Sequence, residues 1–213
     1  MKKNSSIRLF YAFVFVIPVL AYSILDWYKR KMDKLPVLGP VNSVKGKKIF
    51  HQVNDFNMIN QYGRPVTTAN WSNKIVIVDF FFTHCPSICP KMTKSLVELK
   101  TRLRGAKDIL INSFTVDPER DSAAQLKKYM FQRGADKDNW DFLTGEKKAI
   151  YKLARNSFMI VATDGDGGPT DFIHSDKVVL VDRAKRIRGY YNGTSEKEMN
   201  QLFGDIQKIR YEN

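Results

Sequence analysis

The sequence predicts an α/β domain, in which helices pack on the faces of a β-sheet, and three observations lead to this class. Residues 75–82 are apolar, β-branched and aromatic apart from Asp79, as in a central strand that is covered on both faces. Leucine and methionine then recur at helical spacing up to Gly105. Further segments continue to alternate between strand and helix patterns, which indicates one layered domain.

The two cysteines of the chain, Cys85 and Cys89, lie at the turn between that strand and that helix. The prolines beside them fit a first helical turn, so we expect the helix to begin between Ser87 and Cys89. Free N–H groups and the helix dipole stabilise a thiolate there, so we expect both sulfurs to be more acidic than an ordinary cysteine. A rise of about 1.5 Å per residue brings both side chains to one face, roughly 6 Å apart, where they can form a disulfide or bind one metal ion.

Length and charge limit the classes of function. The chain has 213 residues, which is enough for one well-buried domain and too few for two large ones. Its formal net charge of +13 suggests three kinds of candidate partner, namely nucleic acid, an anionic membrane surface or an acidic protein. Lysine and arginine are interleaved with acids along the chain, and no recognition motif stands out. We therefore expect no nucleic-acid binding and interpret the charge as a solvated face that assists docking to a membrane or an acidic partner.

An uncharged apolar run over residues 9–25 follows a short basic tail, residues 1–8. At about 1.5 Å per residue the run covers roughly 26 Å, near the lower limit for a membrane-spanning helix. The competing interpretation is a cleaved signal peptide, but the run is longer than a usual signal core. We expect a single transmembrane helix, a linker over residues 26–45 and a globular domain over residues 46–213. Basic residues flank both ends of the run, so charge alone does not decide its orientation.

The other elements follow from short patterns within the domain. An N-terminal hairpin that lies over the core is predicted from strands at residues 48–53 and 55–59, with 66–67 beyond. Core strands are predicted at residues 109–116, 140–143, 158–162, 177–181 and 187–191, and helices at residues 121–134, 146–156 and 194–210. The loop at residues 163–170 is too rich in Gly and Asp to be regular. This order, with cysteines where the first core helix begins, matches a thioredoxin-like three-layer fold.

The cysteine pair leaves several chemistries open. A purely structural disulfide is disfavoured, because so short a loop removes little entropy from the unfolded chain. Three residues between the cysteines weaken the case for a general dithiol oxidoreductase and suit a pair that also holds a metal. Two thiolates bind Cu(I), and a third neutral ligand would complete the site. A catalytic zinc site is less favoured, because the sequence shows no candidate general base at a spacing from these residues that is typical of a zinc enzyme.

The three histidines differ in their expected roles. His174 precedes the hairpin strands, in a loop that faces the cysteine helix in a thioredoxin-like fold; the alternative is a solvated loop histidine. His84 adjoins Cys85, but its side chain leaves the backbone in another direction, so we expect it to tune the pKa of a cysteine rather than to bind metal. His51 is expected to be structural or exposed. Met92 offers a thioether but falls on the apolar face of its helix, so we expect it in the core.

Four separated motifs resemble those of the Sco/SenC family. They are FTHCPSICP at residues 82–90, DPERD at 117–121, IH at 173–174 and RGYYNG at 188–193. The resemblance spans roughly residues 46–210 and implies a membrane-anchored thioredoxin-like copper protein that helps assemble the copper centre in subunit II of cytochrome c oxidase. It also implies Cys85, Cys89 and His174 as metal ligands. The domain would lie on the periplasmic side of a bacterial cell inner membrane, or in the mitochondrial intermembrane space of a eukaryote.

Two functions are compatible with this resemblance. The first is a copper chaperone, a binding and delivery protein rather than a turnover enzyme, which holds Cu(I) or Cu(II) through Cys85, Cys89 and His174. The second is a thiol–disulfide reductase that keeps the cysteines of the acceptor reduced. It uses Cys85 and Cys89 as a catalytic redox pair, needs a thiol reductant protein, and does not need His174. A peroxidase-like redoxin is a third and weaker option. Asp79 departs from the family pattern, which is apolar or aromatic at that position.

Overall fold

Two units make up the chain in this computed structural model, which describes residues 11, 13–25, 34–44, 46–160 and 175–212. The first unit comprises Met1–Lys34 and Glu212–Asn213, and residues 13–25 within it form a helix, α1, with exposed side chains. The second comprises Leu35–Tyr211. Among the helices of the described residues, none has the length and apolar character needed to cross a membrane. The anchor expected over residues 9–25 stays a prediction; residues 9, 10 and 12 lie outside the described residues.

Strands and helices alternate through the second unit. The strands are β1 Val41–Val44, β2 Lys47–Phe50, β3 Asn57–Asn60, β4 Pro65–Thr67, β5 Ile75–Phe81, β6 Ile109–Thr115, β7 Trp140–Thr144, β8 Lys177–Val181 and β9 Ile187–Asn192. The helices are α2 Ile88–Arg102, α3 Ala123–Gln132, α4 Lys147–Lys152 and α5 Glu196–Tyr211, with a 3₁₀ helix at Thr68–Trp71 and a π-helical turn at Leu153–Ser157.

Seven strands form one mixed sheet in the order β4-β3-β7-β6-β5-β8-β9. The strands β5, β6 and β7 are parallel, whereas β8 runs antiparallel to β5. The central strand β5 is buried along its whole length, as its apolar sequence predicts. Because parallel strands end at the same edge, the loop after β5 lies at the C-terminal edge of these three strands. The antiparallel β8 begins at that same edge.

Side chains of β5 alternate between two cores on opposite faces of the sheet. Ile77 and Phe81 pack in the core formed with α2, α3 and α5. Phe80 packs in the other core, with residues of α4 and the π-helical turn. Complete burial of each such side chain stabilises the fold by roughly 1.5–3 kcal/mol. Helices therefore cover both faces of the sheet, which confirms the predicted thioredoxin-like α/β fold.

The N-terminal strands differ from the prediction of a hairpin that lies over the core. The hairpin of β3 and β4 instead extends the sheet beside β7, where Ile59 pairs with Thr144. The physical reason is that the outer edge of β7 presents backbone N–H and C=O groups that need partners. Residues 51–53 and 55–56, predicted as strand, form none, although Val53 and Phe56 are buried in the core.

The predicted strand at residues 158–162 is also wrong over its described part, residues 158–160. The chain after α4 continues as the π-helical turn, and Phe158 then packs against the rings of Trp71, Phe80 and Phe114. The apolar character that suggested a strand therefore reflects burial of one aromatic side chain. Residues 161 and 162 lie outside the described residues.

The expected linker over residues 26–45 is described from residue 34, and from Leu35 it belongs to the second unit. The backbone N–H of Leu38 donates to the carbonyl of Ile187 at 2.8 Å. The buried guanidinium of Arg188 donates to the carbonyl oxygens of Leu35 and Pro36, at 2.6 and 3.1 Å, and pairs with Asp182. The last part of the linker is thus attached to β9.

Candidate metal centre

The two cysteines lie where the sequence predicts, between the end of β5 and the start of α2. Cys85 is in the connecting loop, where its backbone N–H donates to the carbonyl of Phe82 at 3.3 Å. Cys89 is in the first turn of α2, which begins at Ile88 as expected. Its backbone N–H donates to Sγ of Cys85 at 3.4 Å. Both are free thiols, and their residues are 5% and 3% exposed.

Opposing effects act on the pKa of Cys85. Burial alone would raise the pKa of this thiol. Hydrogen bonds from the backbone N–H groups of Cys89, Ser87 and Ile88, and from the Cys89 side chain, outweigh burial and lower the pKa below its ordinary value. The lowered pKa confirms the expectation of an acidic sulfur at the N-terminus of a helix.

The same expectation is wrong for Cys89. Burial, together with the neighbouring Cys85 and the carboxyl of Asp79, raises the pKa of its thiol to about 12. A hydrogen bond from the backbone of Phe82 only partly opposes this rise. Cys89 points into the core beside Met92, where a thiolate is poorly solvated. The pair therefore consists of one acidic sulfur and one protonated thiol.

The carboxyl of Asp79 is buried beneath the pair, on the face of β5 that carries Ile77 and Phe81. Loss of hydration raises the pKa of Asp79 to about 7, although the Ser113 hydroxyl donates to its Oδ1 at 2.5 Å. The negative charge of Asp79 is one of the influences that raise the pKa of Cys89. Asp79 is thus part of the electrostatic environment of the thiols, a role that its unusual position within an apolar strand did not by itself predict.

A second carboxylate, Asp121, holds the cysteine loop in place. This fully buried side chain accepts hydrogen bonds from the backbone N–H and the hydroxyl of Thr83, at 3.0 and 2.5 Å. It also accepts one from the Thr115 hydroxyl at 2.5 Å. Gln125 of α3 donates to the Thr83 hydroxyl at 3.1 Å. The DPERD segment is therefore bound to the residue two positions before Cys85.

That role of Asp121 was not predicted. The structure shows Ser122 as the N-cap of α3, since its hydroxyl accepts from the N–H of Gln125. The contact between Asp121 and Thr83 joins residues 38 positions apart. Local sequence patterns carry no signal for such a contact, and the DPERD motif was the one available hint.

The structure also places the three other candidate residues, His84, His51 and Met92. His84 is largely exposed, with Nδ1 3.1 Å from the Thr83 hydroxyl and 3.8 Å from Asp121. It is not among the groups that shift the pKa of either cysteine. His51 donates from Nε2 to the carbonyl of Ser157 at 2.8 Å, as expected of a structural histidine. Met92 is fully buried in the core, as predicted.

His174 lies outside the described residues. Within the part of the chain that the structure describes, no cluster of three or more His, Cys, Asp or Glu side chains suited to a metal ion occurs. The described chain resumes at Ser175, and Asp176 is anchored twice. Its carbonyl accepts from the N–H of Gly193 at 2.8 Å, and its carboxylate accepts from the side chain of Asn192.

Comparison with known proteins identifies the family. The model of the SCO1/SenC family matches residues 45–209. The chain belongs to the SCO1/SenC family. The SCO1 protein homolog of Bacillus subtilis (strain 168) is 33% identical over 159 residues, which cover 74% of this chain and 82% of the homolog. The resemblance that the four motifs indicated is therefore confirmed.

Solved structures of SCO1/SenC proteins share the fold. The structure of BsSco, described as a member of the Sco family of cytochrome c oxidase assembly proteins with a disulfide switch, is 30% identical. Its TM-score is 0.66, with 81% of this chain and 100% of that chain covered. Arabidopsis thaliana ScoI with copper bound is 27% identical, with a TM-score of 0.59, and the match covers 75% of this chain and 98% of that chain.

Proposed function

We propose that this protein binds one copper ion as cargo through Cys85, Cys89 and His174 and delivers it to a copper acceptor. The observation that carries the proposal is the arrangement of two free thiols one helical turn apart at the edge of the sheet. Thiolate sulfur is a soft ligand that suits Cu(I). The copper-bound structure of the similar Arabidopsis ScoI supports copper as the metal.

The sheet register supports His174 as the third ligand. β8 pairs antiparallel with β5, with Val178 opposite Asp79, so β8 begins at the edge from which the cysteine loop leaves. The backbone N–H of Gly193 donates to the carbonyl of Asp176. Gly193 also packs closely, because a Cβ at this position would lie within 3 Å of both Met92 and Val178. The chain just after His174 is thus anchored to a turn that touches α2 one turn beyond Cys89.

The acceptor that we propose is the copper site in subunit II of cytochrome c oxidase. The description of BsSco as a cytochrome c oxidase assembly protein supports this choice. An anchor at residues 9–25 would hold the protein in the cell inner membrane, with the domain on the periplasmic side, where the oxidase presents its copper site. Ligand exchange between cysteine and histidine groups would then transfer the metal.

A thiol–disulfide reductase is the second candidate, and the unequal acidity of the two thiols favours it. The acidic Cys85 would attack a disulfide of the acceptor as a thiolate and form a mixed disulfide. Cys89 would then lose its proton, attack the Cys85 sulfur and release the acceptor as a dithiol. A thiol reductant protein would then reduce the Cys85–Cys89 disulfide by the same kind of exchange and would itself be left as a disulfide. His174 has no part in these steps.

Anaerobic titration of the reduced full chain, in an uncharged detergent, with Cu(I) separates the two candidates. We expect one tightly bound copper in the parent, loss of tight binding in Cys85→Ser and Cys89→Ser, and clear weakening in His174→Ala. His84→Ala is the matched control, because His84 is the exposed histidine next to Cys85 and should leave affinity unchanged. Stoichiometric copper in a variant that lacks both cysteines would refute the proposal. Absence of tight copper binding in the parent, with retained disulfide reduction in His174→Ala, would establish the reductase.

A further inference from the structure

A basic pocket lies at the opposite end of the domain from the cysteines. It has a volume of about 300 Å³ and is lined by the last turn of α2, the loop before β6 and the loop before β7. These loops precede the N-terminal ends of the parallel strands, whereas the cysteine loop follows a C-terminal end. The pocket therefore belongs to neither the thiol pair nor the DPERD segment. A volume of this size suits a small ligand rather than a large cofactor.

Four cations line this pocket, namely Lys100, Arg104, Lys107 and Lys137. Asp138 is the one acidic residue of the lining. Within the described residues, none of the four cationic side chains forms an ion pair or a hydrogen bond. Neighbouring cations elsewhere are engaged, since Arg210 pairs with Asp108 and Arg102 donates to Asn200. The pocket thus concentrates uncompensated positive charge.

Lys100 is the informative member of this set, because its residue is only 8% exposed. Burial lowers the pKa of its ammonium group, and the charge of Asp138 opposes that change only in part. Every fully buried side-chain nitrogen or oxygen of the described residues has a hydrogen-bond partner, so the unpaired nitrogen of Lys100 is open to the pocket that it lines. An anion in the pocket would supply the missing partner.

We propose that this pocket binds a doubly charged oxyanion, namely the phosphate group of a small phosphate ester or of an anionic lipid. The C-terminal end of α2 opposes an anion, but its dipole corresponds to only about half an elementary charge. The four cationic side chains outweigh the combined negative charge of Asp138 and the helix end, so the pocket keeps a surplus of positive charge. Tetrahedral oxygens can accept from several ammonium and guanidinium groups at once, which halides cannot do as well.

Titration of the reduced full chain, in an uncharged detergent, with inorganic phosphate tests the site. We expect saturable shifts of the backbone amides of Ala106 and Asn139 in NMR spectra at constant ionic strength, with the amide of Cys85 unaffected. Lys100→Met should weaken phosphate binding at least about tenfold. The same variant should unfold at an equal or higher temperature than the parent, because Met retains the apolar stem of Lys100 and removes a partly desolvated charge. Lost binding would then not reflect a lost fold.

Lys94→Met is the matched control, since Lys94 is an exposed lysine of the same helix outside the pocket lining. It should bind phosphate like the parent. A second titration with phosphatidic acid in mixed micelles distinguishes the source of the phosphate: much tighter binding than of glycerol 3-phosphate assigns the site to lipid, and similar binding to a soluble ester. Non-saturable shifts, or equal loss of binding in the Lys94 and Lys100 variants, would overturn the proposal.

Discussion

The backbone N–H of Cys89 donates to Sγ of Cys85, whereas the sulfur of Cys89 has, among the described residues, a backbone hydrogen bond from Phe82 only. One residue of the pair therefore stabilises the thiolate of the other while its own sulfur stays protonated. Burial raises the pKa of the Cys89 thiol, whereas at Cys85 the hydrogen bonds outweigh the effect of burial. The asymmetry fixes which sulfur reacts first.

The thiol of Cys85 should react with iodoacetamide much faster than that of Cys89. At about pH 8, a thiol with a pKa of about 12 is only about 0.01% ionised, whereas the pKa of Cys85 is below its ordinary value. Cys89→Ser, which retains Cys85, should be alkylated at least about 100-fold faster than Cys85→Ser. Rates measured by mass spectrometry check this, and equal rates would contradict the assigned acidities.

Copper binding should release protons and strengthen with pH. Cys89 keeps its proton up to about pH 12, so a copper ion that binds both sulfurs must displace at least that proton. Affinity for Cu(I) should therefore rise at least about tenfold per pH unit between roughly pH 6 and pH 8. Calorimetry in buffers of different ionisation enthalpy counts the released protons. A pH-independent affinity would mean that Cys89 is not a ligand.

Replacement of Asp121 by Asn should loosen the cysteine loop. The amide has one acceptor oxygen instead of two and its NH₂ group faces hydroxyl donors, so at least one of the three hydrogen bonds is lost. We expect a loss of about 2–4 kcal/mol in the free energy of unfolding, with weaker copper binding. Glu119→Gln, in the exposed part of the same segment, is the control and should change neither quantity.

Asp79→Asn should have the opposite effect on stability at neutral and higher pH. The pKa of this carboxyl rises from 3.8 in the unfolded chain to about 7 in the fold, so the contribution of Asp79 to folding stability is fully present below about pH 3.8 and is lost as the pH rises to about 7. Asn cannot ionise, so the variant should be more stable than the parent by up to about 4 kcal/mol at pH 8. Its advantage should shrink towards about pH 4, as followed by urea unfolding. A constant difference across this range would disprove the raised pKa.

Replacement by Ala should have opposite effects on the free energy of unfolding at two glycines, Gly193 and Gly204. A Cβ at Gly193 would lie 2.5 Å from Cγ of Met92 and 2.9 Å from Val178, so Gly193→Ala should destabilise the fold by about 1–3 kcal/mol. Gly204 lies within α5 with open space around its Cα, so Gly204→Ala should stabilise it by up to about 1 kcal/mol. Thermal unfolding of both variants compares them, and a tolerated Gly193→Ala would show that the turn moves freely over α2.

The sequence predicts the cysteine turn well because its determinants are local. The apolar strand, the prolines and the helical spacing all lie within a few residues of Cys85 and Cys89. The pKa of Cys89 depends instead on how deeply the first turn of α2 is buried. The anchoring of Thr83 by Asp121 and the pairing of Ile59 with Thr144 join distant segments. Such features arise from tertiary packing, which local patterns do not encode.

The attachment of Leu35 and Pro36 to Arg188 has a mechanical consequence. A force applied to the chain at residue 34 would act first on the hydrogen bonds between Arg188 and the carbonyls of Leu35 and Pro36. It would then act on the ion pair between Arg188 and its buried partner Asp182. The predicted linker, residues 26–45, is thus fixed to the domain from Leu35 onwards. Arg188→Gln would remove the ion pair with Asp182 and would leave the bond between Leu38 and Ile187 as the next point of attachment.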